Sequence, residues 1–336
     1  MSSELFLRDI LELPARSEKP RKVGKTICAI HLGGGAVNIE HTARYIDRVK
    51  LYTSNLLMPA KLVEERIRMY RSLDIDVQMG GMFFELAAML GKGKVEEMAK
   101  AVKAIGVNVI EVENHMGAFD LKGLKEEVVK VKAEGFQVVG EVGAKWTEDD
   151  ETRTAQGRCD PKKVIVAMEQ FLEAGVDDLV WDAYPLRALI GNQLENKVGQ
   201  NQIREVAKAI GQDLITFEVS NARGLGKSKP RAWLIHEFGP DVNIGNAHPG
   251  DMIDLETQRR GMFYDPAWPY ARWMKNNRPT KNWWEIEMPD YDIDIEPRPV
   301  WKYSGDEQVV CRPEEAIPAR LRKAEAGAAR KAATKR

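Results

Sequence analysis

Acidic side chains close two apolar segments near the middle of this chain. Glu111 and Glu113 end the first segment, and Glu141 is followed by Lys145 at the end of the second. Because side chains alternate along a strand, Glu111 and Glu113 share one side of a predicted strand, and Glu141 and Lys145 share one side of the next. Carboxylate oxygens suit Mg²⁺, and a lysine can supply a proton. The spacing therefore predicts a Mg²⁺ site with a lysine beside it.

The same argument extends the group to other predicted strands. Lys50 ends the second strand, and Asp182 and Glu218 lie on the sixth and seventh. The predicted metal ligands are Glu111, Glu113, Asp182 and Glu218, and the predicted catalytic residues are Lys145, Lys50, Glu141 and His31. Acids at these positions are costly unless they are paired or bind a metal. The alternative is a Glu–Lys salt-bridge network without catalysis.

A loop rich in glycine and basic residues follows the seventh predicted strand and precedes a helix. Backbone N–H groups at such a helix start bind phosphate, and glycine permits close approach. The predicted phosphate- and substrate-binding residues are Arg223, Gly224, Gly226, Lys227, Ser228, Asn246 and Arg187. A surface loop without a ligand is the alternative interpretation.

Three histidines fall at the same ends of predicted strands. His31, His115 and His248 could together bind zinc. No H-x-H or H-E-x-x-H spacing supports such a site. Zinc therefore stays an alternative to Mg²⁺.

The elements that must position these residues alternate regularly between strand and helix. Eight alternations over about 240 residues predict an α/β protein with a (β/α)₈ TIM barrel. An open dinucleotide-binding sheet is disfavoured, because no G-x-G-x-x-G follows the first strand. We expect an N-terminal arm (1–24), a catalytic barrel (25–261), an irregular aromatic- and proline-rich extension (262–318) and a basic, disordered tail (319–336).

The composition limits the partners. Fifty basic residues balance 51 acidic residues, so no overall field favours nucleic acid or a membrane. Nucleic-acid binding by the basic tail stays a lesser alternative. Three cysteines without a C-x-x-C spacing, and the lack of a long apolar segment, indicate a cytoplasmic protein. Apolar residues of the extension could bury against a second copy, which predicts a homo-oligomer.

Several motifs resemble those of the phosphosulfolactate synthase family over about residues 22–265. They are YIDRVK at 45–50, GGMFFE at 80–85, GFQVVGEVGAK at 135–145, FGPDVNIGN at 238–246 and LETQRRG at 255–261. The resemblance implies a Mg²⁺-dependent barrel that adds sulfite to phosphoenolpyruvate, on a route to coenzyme M. It also implies that Lys145 protonates C2, while Lys50, Arg223 and Lys227 screen the two anionic substrates.

Two other functions stay open. The first strand ends in Ile30-His31-Leu32-Gly33 where the family usually has Asp-Lys-Gly, and the segments after strands two and six also differ. The same barrel and metal site could therefore act on a different small carboxylate by addition or elimination. A non-catalytic, stress-related family member is the other alternative.

Overall fold

Eight parallel strands close into a barrel, which confirms the predicted (β/α)₈ TIM barrel. Each strand pairs with the next along the chain, and the last pairs with the first. The strands are β1 Thr26–Ile30, β2 Arg48–Leu51, β3 Asp76–Met79, β4 Val109–Val112, β5 Gln137–Val142, β6 Asp178–Trp181, β7 Ile215–Glu218 and β8 Asn243–Ala247.

The structure is a computed structural model. It describes residues 12–30, 39–52, 55, 57–143, 159–191, 194, 196–219, 228–262, 268–287, 300–304 and 307–311; for residue 228 and the last two ranges only the backbone is described.

Helices connect and surround the strands. They are α1 Ala60–Ser72, α2 Gly81–Met89, α3 Lys94–Ala104, α4 Leu121–Ala133, α5 Pro161–Ala174, α6 Ala183–Ile190, α7 Lys197–Ile210, α8 Ser228–Phe238, α9 Met252–Arg259 and α10 Pro269–Lys275. The ends of α5 carry sequence signals for a helix start and stop: Asp160 accepts a hydrogen bond from Lys162 N, Pro161 is the first helical residue, and Gly175 ends the helix with φ 95°. Among the described helices, none combines the length and apolar character that crossing a membrane requires.

Two connections differ from the sequence prediction. Between β1 and β2 we expected a helix from about residue 38, but the described part is a 3₁₀ helix, Ile39–Tyr45. Such a short segment closes few α-helical hydrogen bonds, and helix nucleation is costly. After β6 the chain forms α6, which the sequence did not predict. Asp182 makes this short helix possible by accepting a hydrogen bond from Tyr184 N.

The extension after the barrel contains more regular structure than the predicted irregular segment. Pro269 is at the start of α10, where a missing N–H costs nothing. Asn282 and Glu285 form a capping box on a 3₁₀ turn, Trp283–Glu285. An antiparallel hairpin follows, with strands β9 Val300–Ser304 and β10 Glu307–Cys311. The chain divides into two compact units, Met1–Ile286 and Glu287–Arg336. The predicted tail, 319–336, lies outside the described residues.

The described part of the N-terminal arm is fastened to the residues that precede the strands. Arg16 lies 2.6 Å from Asp241 and 3.3 Å from Glu256, and Arg21 lies 3.0 Å from Asp47. Asp47 and Asp241 precede β2 and β8 respectively. The arm therefore binds the end of the barrel at which the strands begin.

The main apolar core lies between the strands and the helices. Buried strand residues such as Val77, Ile110, Val138 and Leu179 pack with helix residues in one cluster. Inside the barrel a separate small cluster contains Val109, Val139 and Val180. Because side chains alternate, Glu111 and Glu141 point to the same side as these valines. Buried polar residues therefore share the barrel interior with a thin apolar layer.

Gly140 of β5 permits the close approach of α5. A Cβ atom at this position would lie 2.7 Å from two ring atoms of Phe171. We expect Gly140→Ala to lower the free energy of unfolding by about 1–3 kcal/mol, because the packed ring must move. Urea denaturation measures this change. Combining Gly140→Ala with Phe171→Leu should cost less than the sum of the single variants; strictly additive losses would contradict the steric explanation.

Candidate functional site

One lysine ammonium lies among three glutamates inside the barrel. Lys50 Nζ is 2.8 Å from Glu111 Oε2, 2.8 Å from Glu141 Oε2 and 2.9 Å from Glu218 Oε1. All four side chains are at most 5% exposed. We call these four residues the Lys50 cluster. It brings together four of the residues that the sequence singled out, from β2, β4, β5 and β7.

Hydrogen bonds from neighbouring residues fix two of these carboxylates. Glu111 accepts from Gln78 Nε2 at 2.5 Å and from the Gly81 backbone N–H at 2.8 Å. Glu218 accepts from Asn246 Nδ2 at 2.5 Å. Asn246 has φ 51°, a left-handed conformation that asparagine tolerates better than most residues. The carboxylates are therefore held in defined orientations before any ligand arrives.

The Lys50 cluster carries more negative than positive charge. Three ionised carboxylates and one ammonium give a formal charge of −2 when all are ionised. Burial, followed by the negative charge of Glu141, raises the pKa of the Glu111 carboxyl well above its usual range, although Lys50 opposes this. Burial also disfavours the Lys50 ammonium, but Glu111, Glu141 and Glu218 together raise its pKa well above the usual value. The cluster therefore favours further positive charge, either as a proton on Glu111 or as a cation.

A second group of possible ligands shares Glu141 with the Lys50 cluster. Ligand atoms of Glu113, His115 and Glu141 lie within 4.8 Å of one another. His115 Nδ1 is 3.6 Å from Glu113 Oε2. Glu85 of α2 holds this loop, because its carboxylate accepts from His115 N at 3.1 Å and Met116 N at 2.6 Å. Glu113 and His115 are thus positioned beside the Lys50 cluster.

The donor set fits a hard divalent cation. The ligand atoms of Glu111, Glu141 and Glu218 also lie within 4.8 Å of one another. Buried carboxylate oxygens with excess negative charge suit Mg²⁺. A Cβ on Gly81 would lie 2.8 Å from Glu113 Cγ, so glycine makes the space that this glutamate occupies. Both groups of acidic residues could therefore hold a metal, and at Glu111, Glu141 and Glu218 the metal would compete with the Lys50 ammonium for the same oxygens.

Three other predicted site residues, Asp182, Arg187 and His248, make local contacts with their own segments. Asp182 accepts a hydrogen bond from Tyr184 N at 2.6 Å as the cap of α6. Arg187 of α6 lies over the ring of Tyr184, 5.9 Å from its centroid. His248 accepts from Gly250 N at 3.0 Å, and neither possible metal group includes it. His31 lies outside the described residues, so the three-histidine alternative stays a prediction.

Six predicted site residues belong to segments that the structure does not describe. His31, Lys145, Arg223, Gly224, Gly226 and Lys227 lie outside the described residues. Ser228 is the first residue of α8, consistent with the predicted helix start after the loop. The roles of the six residues outside the described part of the chain stay predictions.

Sequence reasoning missed Gln78, Gly81 and Glu85 as supporting residues. The sequence pattern placed Gly81 at the end of a strand and Glu85 in the following segment. The residues next to them in sequence did not indicate that Gly81 contacts Glu111 or that Glu85 contacts the backbone of His115 and Met116. The alternation of Gln78 with buried Val77 and Met79 gave one usable signal, because a polar residue there must point into the barrel.

Comparisons with known proteins show similarity to one family. A family model described as (2R)-phospho-3-sulfolactate synthase (ComA) matches residues 14–265. The chain is 28% identical to a phosphosulfolactate synthase of Methanothermobacter thermautotrophicus, over 74% of this chain and 93% of that protein. It is 30% identical to one of Methanocaldococcus jannaschii, over 65% and 82%, and 29% identical to one of Bacillus subtilis, over 76% and 96%.

Removing the Lys50 charge should make stability depend strongly on pH. We expect Lys50→Met to lower the free energy of unfolding by about 3–5 kcal/mol at neutral pH, because three buried carboxylates lose their counter-ion. Carboxyl pKa values that are raised in the folded state make stability fall as pH rises above the unfolded value of about 4.3. The stabilising effect of Lys50, whose folded pKa is raised, is present below its unfolded pKa of about 10.4.

The loss of unfolding free energy in Lys50→Met, relative to the wild-type protein, should therefore grow between about pH 5 and about pH 8. Urea denaturation with a chelator present measures it. Lys132→Met is the matched control, because Lys132 pairs with Asp177 at the surface, where an ion pair contributes at most about 1 kcal/mol. If the loss of unfolding free energy does not change with pH, Lys50 does not stabilise the fold by compensating the charge of the three carboxylates.

Proposed function

Because the chain belongs to the (2R)-phospho-3-sulfolactate synthase family, we propose that it catalyses the Mg²⁺-dependent addition of sulfite to phosphoenolpyruvate. The product is (2R)-phospho-3-sulfolactate. The observation that carries this proposal is the Lys50 cluster, in which three buried carboxylates exceed the charge of one ammonium. A purely structural salt-bridge network would be expected to balance its charges in the barrel interior.

The reaction sets clear demands on the site. The sulfite sulfur forms a bond to C3 while the C2–C3 π bond breaks, and its electrons move toward the substrate carboxylate. A proton must then reach C2, and the phosphate stays attached. When bound, Mg²⁺ would supply positive charge that stabilises this developing negative charge. Glu111, Glu141 and Glu218 are the candidate ligands, with Glu113 and His115 beside them.

The residues of the chain have separate tasks in this proposal. Lys145 donates the proton to C2, as a general acid. Lys50 holds three carboxylates together, so the screening of the two anionic substrates is assigned chiefly to Arg223 and Lys227. Gly224, Gly226 and the N-terminus of α8 at Ser228 bind the phosphate.

Purified protein with Mg²⁺, sulfite and phosphoenolpyruvate tests the proposal. Phosphosulfolactate should form, and chelation of the metal should abolish it. Lys145→Ala should lower kcat at least 100-fold, the lower range for losing an acid–base group. Glu141→Gln should lower kcat as well, because it removes a candidate metal ligand. Lys132→Ala, at the surface, is the control and should retain activity. Metal binding without phosphosulfolactate formation would reject this reaction and favour another small carboxylate as substrate.

We further propose that the protein is a homo-oligomer that assembles through α2. Met82, Leu86 and Met89 of α2, and Leu90 after it, are 43–69% exposed. The only charged residue of α2, Glu85, is buried. A helix that is apolar on all sides is normally covered. The sequence had assigned the interface to the extension instead.

Two exposed apolar residues also lie in the connections after β2 and β4, and Met116 is beside α2 because its N–H donates to Glu85. Leu57 after β2 is 89% exposed, and Met116 after β4 is 61% exposed. Apolar surface patches on monomers rarely exceed about 300–600 Å², and stable interfaces bury about 800 Å² per partner. A face without charge matches the core of a homodimer interface. A second copy is therefore the occupant that we propose.

Sedimentation velocity distinguishes this assembly from a monomer. Leu86→Glu and Met89→Glu should dissociate the oligomer, because charge would be buried at the interface. Val129→Glu is the matched control, since Val129 is 63% exposed on α4. A monomeric wild-type protein, or an oligomer that survives both α2 variants, would refute the proposal.

A further inference from the structure

A continuous polar chain runs through the barrel below the Lys50 cluster. Arg48 precedes Lys50 by two residues on β2, and it is 3% exposed. Its Nη1 donates to Gln78 Oε1 at 3.0 Å, and its Nη2 donates to Gln137 Oε1 at 3.0 Å. Nη2 also lies 3.5 Å from Asp178 Oδ2, and Lys25 Nζ lies 2.7 Å from Asp178 Oδ1. The mechanism above uses none of these groups.

Gln78 connects this chain to the Lys50 cluster. A guanidinium carries only donors, so the atom of Gln78 that faces Arg48 must be the carbonyl oxygen. The amide nitrogen then faces the other way, 2.5 Å from Glu111 Oε2. The opposite orientation would place two donors together at Arg48 and two acceptors together at Glu111. Arg48 thus determines that Gln78 presents a donor to Glu111.

We propose that Gln78 is a positioning residue for Glu111, and that Arg48 acts through Gln78 by fixing the direction of its amide. Gly81 N–H binds Glu111 Oε1 at 2.8 Å, whereas Oε2 is bound by both Gln78 Nε2 and Lys50 Nζ. These donors together fix the rotation of the carboxylate plane. Without Gln78, Oε2 would be held by Lys50 alone, and Lys50 also contacts Glu141 and Glu218.

A fixed orientation of the Glu111 carboxylate should raise the affinity of the site for Mg²⁺. Residues that hold a metal ligand in place typically contribute 10- to 100-fold to affinity. The inference therefore rests on the metal site of the proposed function, but not on its substrates. A failure to form phosphosulfolactate would leave the metal measurement intact.

Titration calorimetry with Mg²⁺ alone, at one fixed pH, tests the inference. Gln78→Met keeps the length of the side chain and removes its donor, so the affinity should fall about tenfold. Arg48→Met should cause a similar fall, because the Gln78 amide can then turn. The double variant should bind Mg²⁺ no more weakly than Gln78→Met alone, because Gln78 is the contact through which Arg48 is proposed to act on Glu111.

Gln137→Met is the matched control. It removes another hydrogen-bond acceptor of Arg48 but leaves Gln78 in contact with Glu111, so the Mg²⁺ affinity should be unchanged. Thermal unfolding confirms that each variant is folded. If Arg48→Met does not fold, a tenfold loss in Gln78→Met with none in Gln137→Met supports the role of Gln78.

Three results would overturn the inference. Unchanged affinity in Gln78→Met would show that Glu111 does not need this donor. Multiplying losses of about 100-fold in the double variant would show that Arg48 acts independently of Gln78. A wild-type protein that does not bind Mg²⁺ would remove the function assigned to the Glu111 orientation.

Discussion

The structure depends on how a few buried charges are balanced inside the barrel. Lys50 meets three glutamates, and every one of these side chains is removed from water. Burying unpaired carboxylates is costly, and the pKa of Glu111 is raised because burial and Glu141 oppose its ionised form. One ammonium lowers this cost without removing it. The same imbalance is the basis of the cation binding that we propose.

The barrel makes this arrangement possible because it brings together strands that are distant in sequence. Lys50 on β2 meets Glu218 on β7, and 168 residues separate the two. The thin valine layer of Val109, Val139 and Val180 lies on the same side of the strands as the acids. Polar side chains inside the barrel thus form hydrogen bonds and ion pairs with residues of several other strands, in place of hydrogen bonds to water.

The fold was largely predictable from local patterns, and the site only in part. Alternating apolar segments and helix ends such as Asp160 and Gly175 are encoded within a few residues, so the barrel and the boundaries of α5 followed from them. Strand-end position also identified Glu111 and Glu141. Which acids would meet Lys50 depends on strand stagger around the closed barrel, which no local pattern contains. The roles of Gln78 and Asn246 as donors to carboxylates depend on the same long-range geometry.

The N-terminal arm has a consequence for the order in which the protein is made. Arg16 binds Glu256, which lies 240 residues later in the chain. At translation rates of ~5–20 residues per second, a ribosome needs roughly 10–50 s to add the residues between them. Throughout that time both Arg16 and the open edge of β1 lack their final partners. During that interval β1 can pair with β2 on one edge only, and its other edge stays open until β8 is made.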